Sequence, residues 1–397
     1  MSKLFMFEKP LGMRDTFPNL YEVKNTTKMR MEEVMKTWGY RFIETPTLEY
    51  YETVGEASAI LDQQLFKLLD QQGHTLVLRP DMTAPIARVA ASKLLKDKSP
   101  LRLAYSANVF RAQQREGGSP AEFEQVGMEC IGDTSVSADA EVIALMVSVL
   151  KEAGLKNFKI SIGHIGFVQE LFTQIVGTEE RASILRRFLY EKNYVGYREH
   201  VGELALSSID KQRLLDFLKL RGNEGVIGEA LSLLEGESGR EALAQLKELY
   251  DILKDYGVEQ YIKFDLSLVS HMSYYSGILF EVYAERVGFA IGNGGRYNKL
   301  LHKFGKDSGA TGFGLRMDYL LEAVGVKTPN PDQYCVLFSD ERRSEAFSLA
   351  KELRETGKKV VLQNWKGVDD VDEFTKEFEE VHYVVGQERN GNGEVTK

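Results

Sequence analysis

Residues 123–129 read Phe123-Glu124-Gln125-Val126-Gly127-Met128-Glu129, and this stretch decides much of the fold. Because side chains alternate along a β-strand, we expect Gln125, Gly127 and Glu129 on one face of a sheet. An amide and a carboxylate would then flank a glycine that leaves room above the sheet. Polar side chains on such a face cost free energy unless they meet a ligand or a partner. Taken alone, the strand leaves a binding site and a solvated face equally open.

Two polar loops elsewhere in the chain each follow a predicted strand. Val109-Phe110-Arg111 ends one strand, and Arg111 can present its planar fork to a carboxylate or phosphate. Leu78-Arg79-Pro80-Asp81-Met82-Thr83 places an acid and a hydroxyl after a proline-fixed turn. Simpler interpretations stay open here, since Arg111 can be a surface ion-pair partner and Asp81 can cap a helix predicted over 84–95.

Two further stretches combine aromatic side chains with bare backbone. They are Tyr274-Tyr275-Ser276-Gly277 and Gly292-Asn293-Gly294-Gly295-Arg296-Tyr297. Glycines at this density let a backbone approach a ligand closely, but they also fit hairpin turns with tyrosines in the core. We predict turns at the glycines. The run is no P-loop, because the Gly-Lys-Ser/Thr ending is missing.

The rest of the chain predicts an α+β protein with several parts. Apolar periodicity predicts helices over 20–38 and from Ser137, as N-cap, to Gly154. Strands are predicted at 40–46, 75–79, 101–110, 123–131, 264–268, 278–284 and 289–291. We expect a core over 1–328, with a helical insertion at about 168–260, a small α/β module over 332–388 and a tail over 389–397.

Composition narrows the class of protein. The net charge of −9 gives the whole chain no nucleic-acid footprint, and no apolar run approaches the ~20 residues that span a bilayer. The two cysteines, Cys130 and Cys335, are far apart and lack metal-ligand spacing. We therefore expect free buried thiols in a cytoplasmic protein, and neither a metal nor a cofactor.

The order of these motifs resembles the histidyl-tRNA synthetase catalytic core over residues 5–325. The matching stretches are Gly12-Met13-Arg14-Asp15-Thr16-Phe17-Pro18, Phe42-Ile43-Glu44-Thr45-Pro46, the loop with Asp81, the motif 2 segment from Phe110 to Glu129, and Gly294-Gly295-Arg296-Tyr297. The resemblance implies a class II synthetase-like antiparallel sheet flanked by helices. It also implies a homodimer with Pro46 at the seam.

The same resemblance implies a histidine-binding site and a loss of chemistry. Asp81 and Gln125 would hold the ammonium group, Arg111 the carboxylate, and Glu129 and Tyr275 the imidazole. Thr83 and Tyr274 complete the implied set of binding residues. Three positions where a working synthetase has phosphate-binding arginines hold Ser119, Ser270 and Tyr319 instead. This combination fits a histidine sensor without catalytic residues.

The resemblance to the regulatory subunits of ATP phosphoribosyltransferase is closer still, and Gly163-His164-Ile165-Gly166 looks like a signature of that family. For His164 itself we expect a loop or capping role. The family implies a short catalytic subunit as partner, which the chain would activate in a hetero-octamer, and L-histidine as feedback effector in the first step of histidine biosynthesis. It implies no tRNA. Inhibitory histidine would sit either in the synthetase-like pocket or at the subunit interface.

Two rival functions remain at the level of sequence. An active histidyl-tRNA synthetase would show ATP-dependent pyrophosphate exchange. An orphan histidine-binding paralogue would not co-purify with a small phosphoribosyltransferase.

Overall fold

A computed structural model describes residues 8–95, 100–113, 119–270, 274–325 and 333–386. It divides into two compact units, Met1–Val326 and Lys327–Lys397. The strands of the first unit are β1 (Arg41–Phe42), β2 (Leu48–Tyr50), β3 (Lys67–Leu69), β4 (Thr75–Leu78), β5 (Leu101–Phe110), β6 (Glu122–Ile131), β7 (Phe158–His164), β8 (Arg221–Gly222), β9 (Ile262–Asp265), β10 (Ile278–Ala284), β11 (Gly292–Arg296) and β12 (Ala310–Arg316).

Helices account for most of the remaining residues of this unit. They are α1 (Pro18–Thr37), α2 (Thr83–Val89), α3 (Val136–Glu152), α4 (Ile165–Val176), α5 (Glu179–Tyr190), α6 (Tyr194–Glu203), α7 (Ser208–Phe217), α8 (Gly225–Leu231), α9 (Glu237–Asp255), α10 (Asn298–His302) and α11 (Met317–Val324). Helices α4 to α9 occupy the stretch between β7 and β9, and the two-residue strand β8 interrupts them. Across the described residues, every helix is too short or too polar to cross a lipid bilayer.

A nine-stranded sheet organises the first unit, in the order β1-β5-β6-β12-β11-β10-β7-β9-β8. Neighbouring strands run antiparallel except for β1 with β5 and β7 with β9. The predicted α+β class, with an antiparallel sheet flanked by helices, is confirmed. Strands β2, β4 and β3 form a separate small sheet.

Strand β6 shows the alternation that its sequence predicts. Val126, Met128 and Cys130 are fully buried in the core that α1 and α3 form on one side of the sheet. Gln125 and Glu129 point to the other side, where they line a pocket. The apolar and polar positions of one strand thus serve two different purposes.

Two local predictions need correction. Ser135, rather than Ser137, caps α3, and its hydroxyl accepts the N–H of Ala138. The helix begins earlier because Asp133 in turn accepts the backbone N–H and the hydroxyl of Ser135. The apolar positions that recur with helical period in this stretch predict an inward stripe, and these residues of α3 are indeed buried: Val142, Ile143, Met146, Val149 and Leu150.

The glycine-rich run after β10 is a strand. The glycines alone predict turns there, whereas the match of residues 294–297 to the strand that leads to motif 3 of the synthetases implies a strand. Gly292, Gly294 and Gly295 belong to β11, which lies between β10 and β12. A Cβ on Gly294 would come within 2.3 Å of the carbonyl oxygen of Gly312 and 2.5 Å of the ring of Phe280. Glycine is required here by close packing inside the sheet, not by a reversal of the chain.

The second unit is a small parallel α/β module. Its elements are β13 (Gln333–Phe338), α12 (Arg343–Glu355), β14 (Lys359–Asn364), α13 (Val371–Thr375) and β15 (Glu380–Val384), and the strand order is β14-β13-β15. The sequence pattern over 371–380 predicts a longer last helix than α13. Helix α13 ends early because the N–H groups of residues 376–378 each donate to the carbonyl oxygen three residues before, which tightens the chain into a 3₁₀-like turn. The N–H of Glu379 then donates to the carbonyl oxygen of Gln333 in β13. The predicted tail over 389–397 lies outside the described residues.

Candidate functional site

One pocket lies on the face of the sheet away from α1 and α3. All seven predicted site residues line it, namely Asp81, Thr83, Arg111, Gln125, Glu129, Tyr274 and Tyr275. They come from the N-terminal end of α2, the end of β5, the middle of β6 and the segment before β10. The fold therefore gathers residues that are up to nearly two hundred positions apart in the chain.

Glu129 lies at the bottom of this pocket with 1% of its surface exposed. Each of its oxygens accepts one hydroxyl: Thr83 donates to Oε1 at 2.8 Å and Tyr297 to Oε2 at 2.5 Å. Burial raises the pKa of Glu129 to about 8, and the nearby Asp81 adds to this, whereas the two hydroxyls lower it. The carboxyl group is fixed in place and can accept one more donor at each oxygen.

The two oxygens of Asp81 correspond to the two interpretations that the sequence left open, a helix cap and a binding residue. Oδ1 accepts the backbone N–H of Ala84 at 3.1 Å and so caps α2. Oδ2 is buried and has no hydrogen-bond partner among the described residues, and the same is true of Oε1 of Gln125. Burial raises the pKa of Asp81, against the opposing effects of the Ala84 N–H and Arg111. Two buried acceptors without a donor are costly, so this pocket is shaped for a ligand that supplies donors.

The side chain of Arg111 already makes two contacts within the protein. Its Nε donates to the carbonyl oxygen of Pro80 at 3.0 Å, and its guanidinium lies 5.3 Å from the centre of the Phe123 ring. These contacts hold the side chain at the pocket wall, where burial lowers the pKa of the guanidinium. Arginine stays charged under such conditions, so the pocket contains one fixed positive charge.

Tyrosines form the opposite wall. The rings of Tyr274 and Tyr275 lie edge to face with centroids 5.1 Å apart, and Tyr274 also meets Tyr297 at 5.9 Å. The amide of Asn293 donates to the hydroxyl of Tyr275 at 3.4 Å. Burial raises the pKa of all three phenols, so they stay neutral hydrogen-bonding groups.

The glycine that makes room in the pocket is not the one that the strand pattern suggested. Above Gly127, a Cβ would lie 2.4 Å from the hydroxyl of Tyr105, whose ring fills that space. The free space belongs to Gly312 and Gly314 of β12. A Cβ on Gly312 would meet Glu129 at 2.0 Å, and one on Gly314 would meet Gln125 at 2.1 Å. The two glycines let these polar side chains lie flat across the neighbouring strand.

The positions that depart from the synthetase pattern lie beside the pocket. The hydroxyls of Ser119 and Tyr319 are 2.6 Å apart. Arg316 is sandwiched between rings, 3.8 Å from the centroid of Phe123 and 3.7 Å from that of Tyr319, and forms a bidentate ion pair with Asp318. Ser270 lines an adjoining cavity of about 1240 Å³ that shares Arg111 with the pocket.

Two motif residues have structural roles. Arg296 is buried and donates to Asp139 and to the backbone oxygens of Asp133 and Ser135, so it fastens β11 to the start of α3. His164 caps α4, as expected, because its Nδ1 accepts the N–H of Gly166 at 3.0 Å. Among the described residues, no cluster of three or more His, Cys, Asp or Glu side chains is placed to hold a metal ion. Both cysteines are buried and free.

The sequence analysis missed Tyr297 and Asn293 as site residues. Both belong to the run that we predicted as turns. In a strand, Asn293, Gly295 and Tyr297 share a face by alternation, and this signal was lost when the glycines were interpreted as turn residues.

Comparison with known proteins gives the class first. A family model described as histidyl-tRNA synthetase matches residues 12–320, and a second, described as the C-terminal domain of histidyl-tRNA synthetase HisZ, matches residues 335–386. A crystal structure of histidyl-tRNA synthetase from a Nostoc species, 20% identical, superposes with a TM-score of 0.78 over 93% of this chain and 88% of that one. The fold is thus that of a histidyl-tRNA synthetase-like protein of class II.

Within that class, much more similar proteins carry one name. An ATP phosphoribosyltransferase regulatory subunit from Geobacillus kaustophilus is 63% identical over 97% of this chain and 98% of the relative. The crystal structure titled ATP phosphoribosyltransferase regulatory subunit/histidyl-tRNA synthetase from Bacillus halodurans is 57% identical, with a TM-score of 0.90 over 97% of this chain and 100% of that one. The chain belongs to the family of ATP phosphoribosyltransferase regulatory subunits.

Proposed function

We propose that the chain is a non-catalytic regulatory subunit that binds L-histidine in the pocket, activates a short catalytic subunit of ATP phosphoribosyltransferase and mediates its feedback inhibition by histidine. The observation that supports this ligand is a pair of buried acceptors, Asp81 Oδ2 and Gln125 Oε1, which have no partner within the described ranges. An ammonium group has three N–H donors and can satisfy both.

The remaining groups of the pocket fit the rest of the amino acid. Arg111 supplies the positive charge for the α-carboxylate. Glu129 keeps a lone pair on each oxygen for an imidazole N–H, and the hydroxyl of Tyr275 faces the same space. Thr83 and Tyr274 act indirectly, Thr83 by holding Glu129 and Tyr274 by packing on Tyr275.

Amino-acid activation is not part of the proposed function. Formation of an adenylate needs positive groups that stabilise phosphate charge, and such groups act mainly by electrostatics. Ser119 and Tyr319 are neutral and bond to each other, and Arg316 is neutralised by Asp318. These contacts support a site that keeps amino-acid recognition without activation.

The proposed partners follow from the family. Relatives are named as regulatory subunits of ATP phosphoribosyltransferase, which supports a catalytic subunit as partner. We propose a homodimeric core, with Pro46 at its seam, inside a cytoplasmic hetero-octamer. Residues 333–386 contain eight Lys and Arg against twelve Asp and Glu. This negative charge supports the absence of tRNA binding, because nucleic-acid affinity depends on neutralising phosphates.

Reconstitution with the short catalytic subunit tests the proposal. Adding the chain should raise phosphoribosyl-ATP synthesis, and histidine should reverse the increase. Coupling between two binding sites is typically 1–3 kcal/mol, or roughly 5- to 150-fold, and it is reciprocal for affinities though not for rates. The factor by which histidine changes the affinity of the chain for the catalytic subunit should therefore equal the factor by which that subunit changes the affinity for histidine. An unchanged rate at saturating regulatory chain would contradict the assignment.

The variant Glu129→Gln shows which histidine site carries inhibition. Activation should survive, because Glu129 faces the pocket, and inhibition should need much more histidine. If the variant complex is inhibited at the same histidine concentration as the unmodified one, inhibitory histidine binds elsewhere, at the subunit interface.

A further inference from the structure

We propose that the pocket binds histidine together with one proton, shared between the carboxyl group of Glu129 and the imidazole ring, so that histidine affinity is greatest near neutral pH. This inference rests on the proposed function and adds to it a property that none of the comparisons describes. It follows from the charges that line the pocket and from how Glu129 is held.

The charges of the pocket do not balance a neutral-ring histidine. Its lining contains two acids, Asp81 and Glu129, and one base, Arg111. In the complex, the ammonium group of the ligand pairs with Asp81 and its carboxylate pairs with Arg111. The charge of Glu129 then stays uncompensated. An uncompensated charge that is 1% exposed is expensive, and one additional proton removes it.

In the part of the chain that the structure describes, the groups around the pocket do not supply that charge. Facing Glu129 are the phenols of Tyr105, Tyr274, Tyr275 and Tyr297, which burial keeps neutral. Beyond them, Arg316 lowers the pKa of Arg111, but it forms an ion pair with Asp318. Glu281 of β10 raises the pKa of Tyr275 and adds no positive charge. The balance is therefore decided inside the pocket.

Glu129 is also held where it can share a proton with the ligand ring. Thr83 and Tyr297 fix both oxygens, so the carboxyl cannot turn away toward water. In the empty pocket the pKa of Glu129 is about 8, and the ordinary pKa of a histidine side chain is about 6.5. Below the lower value the separate partners hold two protons between them, and above the higher value they hold none. The complex holds one.

These values set the expected result for isothermal titration calorimetry of the full-length chain in buffers of different ionisation enthalpy. From a pKa of about 8 for Glu129 and about 6.5 for the ring, binding should release about 0.75 proton at pH 6 and take up about 0.75 at pH 8.5. The association constant should be largest near pH 7.2 and about threefold smaller at either end of that range.

Two controls show which group releases the proton at pH 6 and which group takes up the proton at pH 8.5. With Glu129→Gln, uptake at pH 8.5 should fall to the small amount due to the α-amine, while release at pH 6 persists. With the histidine analogue that has a triazole ring, which stays unprotonated in this range, release at pH 6 should vanish while uptake at pH 8.5 persists. The α-amine is common to both ligands and both proteins, so it cancels in the comparison.

The outcomes separate the inference from the proposed function. Absence of histidine binding at every pH would overturn the proposed function. Tight binding with no proton exchange at pH 6 and pH 8.5 would leave the function standing and overturn the shared proton. Uptake at pH 8.5 that survives Glu129→Gln unchanged would do the same, since the proton would then belong to another group.

Discussion

The hydroxyl oxygens of Ser119 and Tyr319 lie 2.6 Å apart, although 200 residues separate them along the chain. The synthetase resemblance places an arginine at each position. Two guanidinium groups this close would repel each other unless a polyanion lay between them. Serine and tyrosine instead form a neutral hydrogen bond, and Tyr319 is also packed against Phe289 at 4.1 Å. This corner of the protein is stable without a phosphate.

From this pair we expect no histidine-dependent pyrophosphate exchange above background. Each missing electrostatic donor costs on the order of 10²–10³ in rate, and several are replaced here. The assay should include an authentic histidyl-tRNA synthetase as a positive control. Exchange that depends on both histidine and ATP would contradict the expectation.

Glu129→Gln should weaken histidine binding by roughly ten- to a hundredfold. The substitution keeps the shape but replaces one acceptor oxygen by an amide donor, and a charge-assisted hydrogen bond contributes about 1.5–3 kcal/mol. Glu124→Gln is the matched control on the same strand. Glu124 faces the other side of the sheet, where it binds Lys24 and Lys28 at 2.7 and 3.2 Å.

Calorimetric titration at pH 7 checks both variants. The control should bind histidine like the unmodified chain. Equal affinity in all three proteins would mean that the pocket does not bind histidine. Equal loss in both variants would point to a general disturbance of β6.

Arg296→Met should lower the free energy of unfolding by about 3–5 kcal/mol. The ion pair between Arg296 and Asp139 is almost fully buried, 2.9 Å between Nε and Oδ2, and removing one partner leaves the other charge uncompensated. Arg187→Met breaks the exposed pair with Glu191 and should cost less than about 1 kcal/mol. Urea denaturation measures both, and a cost for Arg296→Met no larger than that of the control would contradict this role.

His164 should make the protein lose stability in mild acid. Burial lowers the pKa of the ring to about 4, whereas the unfolded chain has a value of about 6.5. Between pH 6.5 and pH 4 the unfolded state therefore binds a proton at His164 that the folded state does not bind. The free energy of unfolding keeps its full value above pH 6.5 and falls by about 3 kcal/mol as the pH drops toward 4. His164→Asn keeps a capping side chain and should flatten this part of the stability curve. The same slope in the variant would assign the loss to other groups.

The class of fold and most of the residues that line the pocket could be predicted from the sequence alone. Alternation in β6 sends Val126 and Met128 into the core and Gln125 and Glu129 to the other face, because the two-residue period of a strand is a local property. The seven predicted residues line one pocket because they stand at the ends or faces of elements that the motif order identifies.

How that pocket is built depends on contacts between residues that are distant in the sequence. Tyr105 covers Gly127, while Gly312 and Gly314 make room for Glu129 and Gln125. Likewise, Tyr297 holds Glu129, and Ser119 meets Tyr319. Each of these relationships joins residues on different strands or loops. A sequence pattern specifies which way a side chain points, but which neighbour it meets depends on the pairing order and register of strands that are far apart in the chain.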